Sequence, residues 1–149
     1  MQAQILAPAA VLVAWTLVML VWMTVTRLPA LKKQGIDVGT GKPGGRGQDL
    51  EDVLPDEINW KAHNYAHLVE QPTLFYAVVV ILAIMGPTAQ DTLLAWGYVA
   101  LRIVHSLWQA TVNRIPIRLG LFALGTILLA ALTIRAIMVT LFANPGMLS

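Results

Sequence analysis

Two histidines and a glutamate on one stretch are the first candidates for chemistry. His63, His67 and Glu70 stand at i, i+4 and i+7, so they share one face of a helix. That spacing fits a metal site with two histidines and one carboxylate. It also fits a polar face that packs against other helices, and a metal would need a fourth ligand that no residue obviously provides. We therefore expect hydrogen-bonded histidines and no metal here.

A basic turn is the second candidate. Arg114 and Arg118 flank Pro116 in the stretch NRIPIR. Proline suits the first turn of a helix, and the positive end of the helix dipole would add to both arginine charges. The arginines could serve only to keep this connection in the cytoplasm. We favour an anion site, because polar faces on two other predicted helices would remain unexplained otherwise.

A third polar set lies within an apolar stretch. Arg102, His105 and Gln109 stand at i, i+3 and i+7, which places them on one helix face. A deep arginine must meet a counter-charge, water or carbonyl groups. Glu70 is the acidic residue within the predicted spans, so we expect a structural contact between Glu70 and Arg102. His105 and Gln109 are either ligand contacts or hydrogen-bonding links between helices.

The elements that must position these residues are membrane helices. The 149 residues are 57% hydrophobic and 12% charged, with a mean hydropathy of +0.67, which is too apolar for an ordinary soluble domain. Since about 20 apolar residues cross a bilayer, four segments qualify. The predicted spans are 5–26, 60–85, 92–112 and 119–141. We therefore predict an all-α membrane protein, a four-helix bundle with a single domain over residues 1–149.

The placement of charge predicts the orientation of the chain. Basic residues cluster between the first two spans, at 27–61, and between the last two, at Arg114 and Arg118. By the positive-inside rule both connections are cytoplasmic and both termini lie on the other side. A net charge of +2 gives no reason to expect a nucleic-acid partner. The chain has no cysteine, so it has no thiolate of its own. We expect the protein to lie in a bacterial inner membrane.

The connection 27–58 is predicted to be a cytoplasmic loop. Its GTGKPGGRG stretch lacks the strand and the Lys-Ser/Thr pair of a phosphate-binding loop, because Pro43 follows Lys42. Asp56 and Glu57 stand where negative charge favours a helix start. Farther along, Pro72 predicts a kink in the second helix, and Arg135 is expected to extend to the outer membrane surface.

With these residues in hand, the chain resembles the MAPEG family, the membrane-associated proteins of eicosanoid and glutathione metabolism. Two stretches carry the resemblance: HNYAHLVEQPTLFY on the second helix and RIVHSLWQATVNRIPIR on the third helix and the turn. The first is similar to the family's N-x-x-E-x-P-x-F signature. The second repeats the spacing of an arginine, a histidine three residues on and a basic proline turn.

The resemblance implies a homotrimer of four-helix bundles that binds glutathione between subunits near the cytoplasmic face. Arg114 would stabilise the glutathione thiolate, and Arg118 would be a ligand or catalytic contact. Glu70 would hold the glutathione amino group, and Arg27 a carboxylate. The remaining ligand positions are His63, His67, His105 and Gln109.

The chain departs from the family pattern at several of these positions. His63 and His67 replace an arginine and an asparagine, and Gln109 replaces a frequent tyrosine. Fewer fixed positive charges predict weaker binding of a tripeptide with two carboxylates. The function implied is a glutathione-dependent transferase or peroxidase that acts on hydrophobic electrophiles in membrane lipid. The alternatives are a non-catalytic protein of the same fold, binding lipid or serving as an accessory subunit, and a metal-dependent enzyme using His63, His67 and Glu70.

Overall fold

The computed structural model describes residues 2–142, which form four helices: α1 Gln2–Lys33, α2 Asp56–Met85, α3 Ala89–Thr111 and α4 Ile115–Leu141. Two short 3-10 turns, Val38–Thr40 and Gly47–Leu50, lie in the connection between α1 and α2. Residues 2–142 contain no strand. The predicted all-helical fold is therefore confirmed.

The connection between α1 and α2 is shorter than the predicted loop 27–58. Helix α1 continues through Arg27 to Lys33, where Gly35 at φ 71° donates its N–H to the carbonyl of Lys32 (3.1 Å). A left-handed glycine is a common helix stop. At the other end of the connection, α2 begins at Asp56, and Asp56 and Glu57 occupy its first turn. The expectation that acidic residues open this helix is confirmed.

Three of the helices, α1, α2 and α4, are long and apolar enough to cross a membrane. Their outward faces carry large apolar side chains such as Leu17, Ile84 and Ile127. Helix α3 has 23 residues but is not apolar enough to be counted with these three. Its inner face carries the buried Arg102, His105 and Gln109, and these polar groups lower its hydropathy.

Helices α2 and α3 are both central to the bundle, since each packs against the other three helices. Ile5, Leu12 and Met19 are buried at seven-residue spacing on α1, so they lie along one face of that helix. Between α2 and α3, the ring of Phe75 stacks on Tyr98 with centroids 4.4 Å apart. Pro72 is buried within α2, which continues through it as one helix.

An ion pair links α3 to α4 near the connection between α2 and α3. Thr88 caps α3, and its hydroxyl accepts a hydrogen bond from the N–H of Asp91 (3.2 Å). The carboxylate of Asp91, which is 1% exposed, accepts from Nε of Arg135 at 3.1 Å. The expectation that Arg135 extends to the outer membrane surface stays a prediction, because Asp91 lies in the first turn of α3 and the ion pair leaves the Arg135 side chain 35% exposed. Its partner is a carboxylate on the neighbouring helix, which the one-dimensional spacing did not reveal.

Candidate functional site

A seam of buried polar side chains runs between α2 and α3. Asn64 on α2 and Arg102, His105 and Gln109 on α3 are each at most 5% exposed. The ring of His67 stacks on His105, with centroids 5.2 Å apart and planes 21° apart. The seam therefore brings together three of the predicted ligand positions, His67, His105 and Gln109, along one helix interface.

Hydrogen bonds fasten both sides of the seam to the other helices. Trp15 on α1 donates its indole N–H to the hydroxyl of Ser106 (3.0 Å). Tyr98 donates its hydroxyl to Oε1 of Gln71 (3.2 Å), and the amide nitrogen of Gln71 donates to Thr126 on α4 (2.9 Å). Because all four helices take part, the seam has a defined position within the bundle.

Arg102 does not pair with Glu70, contrary to the sequence-based expectation. Its Nη2 donates to the backbone carbonyl of His67 (2.7 Å), and no ion pair within 4.0 Å joins it to Glu70. Glu70 is instead exposed on the surface of α2. His63 and Glu70 are exposed on α2, whereas the backbone carbonyl of His67 faces Arg102 on α3.

Several buried atoms of the seam have no hydrogen-bond partner within the part of the chain that the structure describes. They are both amide atoms of Asn64, Nδ1 of His67, Nε and Nη1 of Arg102, Nε2 of His105 and Oε1 of Gln109. Leaving a buried polar group unpaired costs about 1–3 kcal/mol. Such a concentration in one place is typical of a functional site rather than of a core built for stability.

A second polar site lies between the end of α1, the connection and the start of α2. A cavity of about 420 Å³ is lined there by Arg27, Arg46, Glu51, Asn59 and His63, with further residues. The guanidinium of Arg27 donates to the carbonyl of Gly47, and His63 Nε2 lies 2.9 Å from Oε1 of Glu51. The predicted positions Arg27 and His63 therefore line one cavity, whereas His67 lies in the seam.

The basic turn between α3 and α4 has a defined backbone. Asn113 ends α3 at φ 53°, and its N–H bonds the carbonyl of Trp108 (2.8 Å). Its side-chain oxygen accepts a hydrogen bond from Nη1 of Arg118 (2.7 Å). Pro116 stands in the first turn of α4, as predicted. Arg114 is exposed, and its guanidinium makes no hydrogen bond or ion pair within residues 2–142.

The alternative metal ligands do not assemble within one chain. His63 contacts Glu51, His67 stacks on His105, and Glu70 is exposed. Among residues 2–142, no group of three or more His, Asp or Glu side chains is placed to hold a metal ion. His63 lines the loop cavity and His67 lies in the seam, so the two histidines of the metal alternative belong to different sites.

Sequence reasoning missed two partners in these sites. They are Glu51, which contacts His63, and Asn59. The amide nitrogen of Asn59 donates to the backbone carbonyls of Glu51 (2.9 Å) and Leu54 (3.0 Å). An asparagine just inside a helix start, opposite a polar loop, was the available signal, but it does not specify which carbonyls are bound.

The fold and the buried polar seam together define a helical integral membrane protein with a polar interior. Residues 5–138 match the MAPEG family, and the chain belongs to it. The family comprises membrane proteins associated with eicosanoid and glutathione metabolism, so the resemblance seen in the sequence is confirmed. No curated protein and no solved structure gives a significant match to this chain.

Proposed function

We propose that this protein is a glutathione-dependent transferase or peroxidase that acts on hydrophobic electrophiles within the membrane. The observation that carries the proposal is the family match over residues 5–138. That range includes the buried seam, the loop cavity and the basic turn. Glutathione would supply the thiol that this cysteine-free chain lacks, and the lipid phase would supply the apolar co-substrate.

Arg114 is the residue we assign to the thiolate. A thiol becomes a nucleophile when nearby positive charge lowers its pKa, and an arginine remains charged at every physiological pH. The guanidinium of Arg114 is uncommitted within residues 2–142, whereas Arg118 is held by the side chain of Asn113. Arg118 is therefore the better fixed of the two, which suits a contact that orients the ligand.

The remaining assignments concern glutathione itself. Arg27 and His63 would meet its carboxylates and Glu70 its amino group, with His67, His105 and Gln109 completing the site. Glu70 is exposed on α2, a helix that is apolar enough to cross the membrane. An ionised carboxylate facing lipid is costly. We infer that a neighbouring subunit covers this face, which supports a homotrimer with glutathione bound between subunits.

The same proposal places the chain in the membrane with four crossings. Helix α3 would cross as the innermost helix of the bundle, because its polar face is buried against α2. The basic connections around Arg27 and Arg114 would be cytoplasmic, and both termini would lie on the other side. A bacterial inner membrane is the proposed location.

One observation favours a second function, that of a non-catalytic member that binds lipid or serves as an accessory subunit. His63 is engaged with Glu51, and His67 with His105. These are the positions at which the family pattern has an arginine and an asparagine. A site whose polar groups are occupied within the chain holds an anionic tripeptide less firmly.

The test is glutathione-dependent stability and turnover of the detergent-solubilised protein. Glutathione at a hundred times its Kd should stabilise the fold by about 2.7 kcal/mol. The Arg114→Ala variant should lose roughly a hundredfold in kcat/KM with a soluble chloroarene, because it lacks the charge that stabilises the thiolate. It should keep its oligomeric state, and Lys33→Ala, an exposed basic control on α1, should behave as the unmodified protein. Absence of any glutathione effect would favour the second function.

A further inference from the structure

A groove opens on the surface where α1 meets the connection that follows it. It lies between the last turns of α1 and the chain that turns back at Gly35, and its volume is about 520 Å³. The residues that line this surface, which we call the α1 groove, are Leu28, Lys32, Gly35, Ile36, Asp37 and Val38. Leu28 is 51% exposed and Val38 is 67% exposed. The α1 groove therefore combines exposed apolar walls with one charge of each sign.

The groove continues the face of α1 that points away from the other helices. Val21, Val25 and Leu28 are all exposed and stand at i, i+4 and i+7. Lys32 follows four residues later, so it lies on the same side of the helix. Met19 is buried on the packed face of α1, and Val21, two residues on, lies about 200° around the helix from it. An apolar stripe thus faces outward along α1 and ends at Lys32.

The position of Lys32 fits the boundary between hydrocarbon and lipid headgroups. Lys32 stands one turn beyond Leu28, which is about 6 Å along the helix axis. The headgroup layer on each side of a bilayer is about 5–7 Å thick. A lysine can lay its apolar stem along such a surface and keep its ammonium group among the headgroups. A phospholipid could therefore place its acyl chains along the stripe and its headgroup in the α1 groove.

The two charged side chains of the groove do not pair with each other. No ion pair within 4.0 Å joins Lys32 to Asp37. Asp37 accepts a hydrogen bond from the N–H of Gly39 through Oδ1 (2.9 Å), which leaves its other carboxylate oxygen, Oδ2, for a ligand. An ammonium group and a carboxylate that line one groove without pairing fit a ligand that carries both charges.

We propose that the α1 groove binds a phospholipid whose headgroup carries a phosphate and a primary ammonium group. The phosphate would pair with Lys32 and the ammonium group with Asp37, while Leu28 and Val38 would contact the glycerol and the first acyl carbons. A primary ammonium has N–H groups to donate to Oδ2, which a quaternary ammonium lacks. The proposal does not depend on the glutathione reaction, because the groove contains none of the residues assigned to that reaction.

The test is native mass spectrometry of the full chain in detergent, which measures the affinity for the first bound lipid. The probes are phosphatidylethanolamine, phosphatidylcholine and phosphatidylglycerol with identical acyl chains, so that the apolar contacts are the same for all three. Phosphatidylethanolamine should bind roughly three- to tenfold more tightly than either of the others, because phosphatidylcholine has no N–H donor and phosphatidylglycerol has no cation. Equal affinities for the three lipids would overturn the proposal.

The Lys32→Gln variant tests the phosphate contact. It should weaken the binding of phosphatidylethanolamine by roughly three- to tenfold. Lys33→Gln is the matched control, because Lys33 is also exposed in the last turn of α1 but does not line the groove. This control should leave the affinity unchanged. A general attraction between basic residues and lipid phosphates would weaken binding equally in both variants, and that result would overturn the site.

The Asp37→Asn variant tests the ammonium contact. Asparagine keeps a side-chain oxygen for the N–H of Gly39, so the turn is preserved. The variant should bind phosphatidylethanolamine and phosphatidylglycerol equally well, because it lacks the carboxylate that favours the ammonium group. Asp52→Asn, which removes an exposed carboxylate outside the groove, should keep the preference for phosphatidylethanolamine. An unchanged preference in Asp37→Asn would contradict the proposal.

Discussion

At the scale of single residues, Arg102 is the least compensated charge in the described part of the chain. It is 1% exposed, its guanidinium has one hydrogen bond, to the carbonyl of His67, and no carboxylate lies within 4.0 Å. Replacing a buried charge by an apolar side chain of similar volume is often neutral or stabilising. Substitutions of Arg102 can therefore test the volume of its side chain separately from its charge.

We expect Arg102→Met to unfold within about 1 kcal/mol of the unmodified protein, because methionine fills much of the same space. Arg102→Ala should lose about 2–4 kcal/mol, since it leaves a cavity beside α2. The measurement is reversible unfolding in mixed detergent micelles. Equal losses in both variants would show that the guanidinium itself holds the bundle together.

Glu70→Gln serves as the control for this prediction. Since Glu70 and Arg102 do not form an ion pair, the effects of Glu70→Gln and Arg102→Met should add within about 0.5 kcal/mol in the double variant. A larger coupling energy would show that Glu70 and Arg102 interact, as the sequence suggested.

At the scale of elements, the turn from α3 to α4 depends on one asparagine with two roles. Asn113 adopts the left-handed backbone at φ 53° and accepts a hydrogen bond from Arg118. Asparagine tolerates this conformation better than other residues except glycine. The turn that ends α3 thus also positions a basic residue at the start of α4.

Substitutions of Asn113 should separate these roles. Asn113→Gly should keep the unfolding free energy within about 1 kcal/mol, whereas Asn113→Ala should lose about 1–2 kcal/mol through backbone strain. Both variants release Arg118, so kcat/KM for the proposed glutathione reaction should fall roughly tenfold in each. Unfolding and kinetics are measured on the same preparations. Full activity in Asn113→Gly would mean that the residue serves the turn alone.

At the scale of the whole molecule, the proposal that α3 crosses the membrane depends on its length and on its buried polar face. Its length of 23 residues corresponds to roughly 35 Å of helix, enough to cross a bilayer of about 30 Å. Its polar face is covered by the other helices. A helix with a buried polar face can cross a membrane that its average composition would not suggest.

Single cysteines test the crossing directly, because the chain has none of its own. In intact cells, a membrane-impermeant maleimide should label the Gln90→Cys variant, in the first turn of α3. It should label Gln34→Cys and Thr111→Cys only after the membrane is permeabilised. All three positions are exposed. Labelling of Thr111→Cys together with Gln90→Cys would show that α3 does not cross.

The sequence by itself determined the helical membrane class, the family, the acidic start of α2 and the proline in the first turn of α4. These features are local, since hydropathy, caps and motif spacing depend on residues close together in the chain. The extent of α1 was underestimated, because the helix continues beyond its apolar stretch until Gly35 stops it.

Only the tertiary structure decided which polar groups meet. Arg102 binds a carbonyl 35 residues away instead of Glu70, and His63 reaches Glu51 at a separation of 12 residues. Arg135 finds Asp91 at a separation of 44 residues. Helix periodicity specifies the face on which a side chain lies but not the height or rotation of the helix opposite. Those are set by the packing of all four helices together.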